Sequence, residues 1–171
     1  MRTFFSTIII VCVMCLSAQA AGMPYADRLC PEANSKGGTL LELLAVKPVQ
    51  PAEKVAAVAA ELATVYDACS TAYRANGSIE GGNYGSLQYA KMRLIGGTFL
   101  NRLEKIDEAR AAFADAEKRA DEVAQSNSGS LGVGKGRGVP TAYRAEAEDV
   151  RNKAHAALEA LLATPSATAS P

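Results

Sequence analysis

Residues 90–123 read AKMRLIGGTFLNRLEKIDEARAAFADAEKRADEV, and this stretch decides the fold class. From Ile106 onward, Ala109, Phe113, Ala116, Ala120 and Val123 recur at steps of four and three, the spacing of a single helical face. Arg110, Asp115, Lys118 and Asp121 fill the opposite face. The spacing predicts a helix over 106–125, and the small and apolar residues ahead of it predict another over 84–103. No part of the chain alternates apolar and polar residues as a half-buried strand would.

Working outward toward the N-terminus, Val55, Val58, Leu62, Val65, Tyr66, Cys69 and Tyr73 draw one apolar stripe. They predict a helix that starts at Pro51, where a missing N–H costs nothing, and ends at Asn76-Gly77. Thr39-Leu40-Leu41-Glu42 reads as a capping box opening a short helix to about residue 47, before Pro48. Gly81-Gly82 reads as a loop. In the other direction, residues 126–139 are rich in Gly and Ser and predict a mobile loop. Pro140 then opens a last helix carrying Tyr143, Ala147, Val150, Ala154, Leu158 and Leu161. The tail, residues 164–171, has nothing to bury and is expected to be disordered. The composition agrees with this reading: 33 of the 171 residues are alanine, none is Trp, and aromatics make up 6%. The expectation is an all-α chain with four main helices in one domain over residues 21–163.

Within 90–123, Gly96-Gly97-x2-Leu100, Ala109-x3-Phe113 and Ala116 resemble the tetratricopeptide repeat. Small residues at Gly97, Ala109 and Ala116 would let two helices approach, with Leu100 and Phe113 filling the seam. The departures are Arg93 where the family carries Trp, Asp121 where it closes with Pro, and Leu100 for Tyr. One repeat length earlier, Leu62-Ala63-x2-Tyr66 falls on the same signature, but Asn76-Gly77 interrupts the chain where a second helix should form. The resemblance implies antiparallel helical hairpins in a small TPR-like bundle. It also implies a groove lined by Lys91, Leu94, Thr98, Asn101 and Arg102, suited to an acidic or carboxylate-ended peptide of a partner protein.

The N-terminus carries an address. Arg2, an apolar run from residue 4 to 16, and Ala18-Gln19-Ala20 form a secretory signal peptide, with cleavage expected after Ala20. The apolar run falls short of the roughly 20 residues a membrane-spanning helix needs, so no membrane anchor is expected and the chain is read as exported, periplasmic or secreted. Cys12 and Cys15 leave with the signal peptide, and Cys30 and Cys69 remain. In an oxidising compartment two remaining cysteines pair. A Cys30–Cys69 bridge would close 69 − 30 = 39 residues, worth roughly 4 kcal/mol on chain-entropy grounds.

Lys plus Arg and Asp plus Glu each number 18, which removes the cationic footprint of nucleic-acid binders. The one histidine, His155, has no second histidine or cysteine pair at ligand spacing, so neither a metal nor a His-based triad is expected. Gly129-x4-Gly134-Lys135 imitates a phosphate-binding loop but ends on Gly136 instead of Ser or Thr, with no strand before it, so no cofactor is expected. Asn76-Gly77-Ser78 also spells a glycosylation sequon. The expected function is therefore non-enzymatic, an exported adaptor or chaperone-like module that binds protein. The alternative is a small exported inhibitor or immunity-type protein acting through the 126–139 loop.

Overall fold

The structure, a computed structural model, describes residues 31–45, 51–126 and 141–163. Among them are five α-helices and no strand: α1 (Pro31–Ala45), α2 (Ala52–Ala75), α3 (Ile79–Arg102), α4 (Ile106–Gln125) and α5 (Thr141–Ala163). The expected signal peptide, Cys30, residues 127–139 of the expected loop, Pro140 and the tail at 164–171 lie outside the described residues.

Each helix packs chiefly on its neighbour in sequence, and α5 also reaches α3. The arrangement follows from α3, which has an apolar cluster on either side. On one side Met92, Ile95 and Phe99 join Ala33, Leu40 and Leu43 of α1 and Val55, Ala59, Leu62 and Tyr66 of α2. On the other, Leu87, Ala90 and Leu94 join Ala109, Phe113, Ala116, Ala120 and Val123 of α4 and Tyr143, Ala147, Val150 and Ala154 of α5. A helix buried on both sides has little room for bulk, and α3 meets that demand with glycine. A Cβ on Gly85 would lie 2.9 Å from the Ser70 Cα in α2, and one on Gly97 would lie 2.7 Å from Phe113 Cε1 and 3.2 Å from Ala112 Cβ in α4. The expectation that Gly97 lets these two helices approach is met.

Two expected boundaries move. α3 starts at Ile79 instead of residue 84, because Ser78 caps it: the Ser78 Oγ accepts from Gly81 N at 3.2 Å. Glu80 in the first turn complements the positive end of the helix. Gly81 and Gly82, read as loop residues, lie inside the helix and let it rest directly on Tyr73 and Arg74 of α2. Packing outweighs the roughly 1 kcal/mol that each glycine costs a helix. The second shift concerns Thr39, expected as an N-cap, which is an exposed residue inside α1. The helix runs from Pro31, a first-turn position that tolerates proline, and it buries Ala33, Leu40 and Leu43. α2 and α4 lie where the spacing puts them, within a residue at each end.

Candidate functional site

The expected groove positions do not share one surface. Lys91 is 3% exposed and its ammonium is bonded to the Glu146 carboxylate of α5. Leu94, 6% exposed, belongs to the apolar cluster between α3, α4 and α5. Thr98 is half-buried and donates its hydroxyl to the Leu94 carbonyl at 2.9 Å, one turn back in its own helix. Asn101 is partly exposed. Arg102 is exposed, with its guanidinium 4.7 Å from the centre of the Phe99 ring. α5 therefore covers the first half of the strip, and only its C-terminal end remains open. The signal was present in sequence: Lys91 sits one turn from both Leu87 and Leu94, on a buried stripe.

Tyr143 of α5 lies beside Tyr84 of α3, with ring centres 6.2 Å apart and planes at 47°. Burial, aided by the Glu80 and Glu146 carboxylates, pushes the Tyr143 hydroxyl up to about 12. Between α2 and α3, Ser70 Oγ donates to the Gly82 carbonyl at 2.8 Å and lies 2.9 Å from Ser86 Oγ. Arg74 reaches Asn83 Oδ1 at 3.1 Å, and Asn83 Nδ2 donates to Ser126 Oγ at 3.0 Å. These groups are satisfied by one another and serve to join α2, α3 and the end of α4.

The accessible chemistry lies elsewhere. α4 and α5 flank an open cleft of about 580 Å³, lined by Ala114, Glu117, Lys118 and Asp121 from α4 and Arg151, Asn152 and His155 from α5. The spacing makes this a face: 114, 117, 118 and 121 share one side of a helix, as do 151, 152 and 155. Two contacts cross the cleft. Arg151 Nη1 meets Asp121 Oδ1 at 3.2 Å, and His155 Nδ1 lies 2.9 Å from Glu117 Oε1. The other ring nitrogen, Nε2, is 3.4 Å from Glu159 Oε1. A neutral imidazole has one N–H, so only the protonated ring donates to both carboxylates. Lys118 is exposed and makes no ion pair among the described residues. The cleft thus offers mixed charges, an amide and an imidazole at the surface. That set suits polar recognition of another macromolecule. In sequence, Glu117, Lys118, Asp121 and His155 read as a solvated surface, and no spacing within either helix joins α4 to α5 across it.

Among the described residues no group of three or more His, Cys, Asp or Glu side chains is placed to hold a metal ion. No helix among them is long and apolar enough to cross a membrane. No protein-family model, curated protein or solved structure matches the chain.

Proposed function

We propose that the mature chain is an exported, non-enzymatic interaction module that engages a protein partner through the α4–α5 cleft. The observation that carries this reading is the cleft itself, which is open and presents Lys118, Arg151, Asn152 and His155 from a pair of helices fixed by a continuous apolar seam. Such a surface can recognise a partner by charge pattern while the scaffold stays rigid. Residues 90–123 form a closely packed helix pair, with Gly97 set against Phe113, and the tetratricopeptide-like reading of that pair rests on its sequence resemblance alone. The partner surface, however, moves from the α3 strip to the cleft. Export rests on the first twenty residues, and the pairing of Cys69 on α2 with Cys30 is part of the same proposal.

The alternative, an inhibitor acting through residues 126–139, draws support from Ser126, whose hydroxyl is held by the buried Asn83 at the end of the rigid core. A pull-down with the mature protein from its native compartment separates the two. Lys118→Glu with Arg151→Glu should abolish capture of a partner that the wild type retains, and deletion of residues 128–137 should spare it. The reverse pattern transfers the function to the loop.

A further inference from the structure

We infer that Asn76–Gly77 is a gated site of spontaneous chemical modification, whose conversion opens the joint between α2 and α3. It is the one asparagine in the sequence followed by glycine. With no side chain on the following residue, little hinders attack on the asparagine side chain. In that reaction the Gly77 amide nitrogen gives up its proton and bonds to Asn76 Cγ. The Cγ–Nδ2 bond breaks and ammonia leaves, giving a cyclic imide. Water then opens the ring at either carbonyl, leaving aspartate or its backbone-shifted isomer, isoaspartate. Water is the only co-reactant, and both residues are exposed to it.

In the folded chain the reacting groups are held out of position. Asn76 caps α2, and its backbone N–H donates to the Ala72 carbonyl at 3.1 Å. Its Nδ2, the leaving nitrogen, donates to the same carbonyl at 2.9 Å. The Gly77 N–H, which must lose its proton, is bonded to the Arg74 carbonyl at 3.0 Å. Gly77 itself is fixed in the left-handed region at φ 76°. The reaction therefore waits for the cap to open, and its rate follows the population of that open state.

The product cannot restore the full cap. A carboxylate at position 76 loses the side-chain donor to the Ala72 carbonyl and places negative charge at the negative end of α2. The isoaspartate form also adds a backbone carbon to a link of only residues 76–78. That link sets Gly81, Gly82 and Gly85 against Tyr73, Arg74 and Ser70, where no slack exists. Conversion is thus irreversible and loosens the contact at the base of α3.

The test is site-resolved peptide mapping of the full mature protein, held in mildly alkaline buffer either folded or unfolded in urea. Asn76 should convert at least about tenfold more slowly in the folded protein, as expected for a reaction gated by local opening. Asn76→Asp, made directly, should melt below the wild type. Equal rates in the two states, no conversion in urea, or an Asn76→Asp variant that melts with the wild type would each overturn the inference.

Discussion

Phe113 leaves Gly97 no room for a side chain, and the two opposing effects of Gly97→Ala can be weighed. Removing glycine from a helix gains about 1 kcal/mol, whereas overpacking a filled core costs about 1–3 kcal/mol. Because the Phe113 ring is itself buried and cannot swing away, Gly97→Ala should lower the melting temperature. Gly85→Ala should lower it more, since its Cβ would meet the Ser70 backbone instead of a ring edge. Glu104 has the opposite character. It holds φ 60° in the link between α3 and α4, a conformation that costs an L-residue roughly 1–2 kcal/mol, so Glu104→Gly should stabilise by up to about 1 kcal/mol in thermal melts. Tyr143 supplies a pH dependence. Its hydroxyl, about 12 in the fold against an ordinary 10, favours the protonated form in the folded state, so this stability is complete below pH 10 and is lost as pH rises toward 12. Burial raises Tyr66, Tyr73 and Tyr89 in the same direction. The alkaline fall in melting temperature should be smaller in Tyr143→Phe.

At the scale of the elements, the Lys91–Glu146 pair ties α5 to α3. With both side chains largely buried, breaking the pair from one side leaves an uncompensated charge. Lys91→Met alone should cost about 3 kcal/mol, and adding Glu146→Leu should recover most of it, because an apolar pair of similar volume needs no desolvation. Additive losses in denaturant melts would mean that the two charges do not depend on each other. The helices differed in how much the sequence disclosed of them. α4 was legible to the residue because one of its faces is solvent and the other core, which is the condition under which periodicity speaks. α3 was legible only in its C-terminal part. Its first turns are Gly81, Gly82, Asn83, Gly85 and Ser86, residues that signal a loop unless α2 is there to be packed against. Lys91 misled for a related reason: a lysine reads as surface until a distant glutamate, 55 positions along, is known to meet it. The cleft was illegible as a site since its two walls are formed by separate helices, and no spacing within either one announces the other.

For the whole molecule, the order of packing is close to the order of the chain, with α3 between two apolar clusters and α5 closing the second. Such a layout spends its apolar residues on internal seams and leaves a surface of mixed charge, in keeping with equal numbers of acidic and basic residues. On the proposed reading, recognition comes from pattern and not from net charge or a broad apolar patch. The α4–α5 cleft is the surface that carries such a pattern, with Lys118, Arg151 and His155 set among Glu117, Asp121 and Glu159. A protein partner is proposed to sit there. A photoreactive residue placed at Ala114, inside the cleft, and another at Ala60, on the exposed side of α2, test it in the native compartment. A discrete cross-linked adduct is expected from position 114, removed by Arg151→Glu, and none from position 60. No adduct from position 114, or the same adduct from both positions, would contradict it.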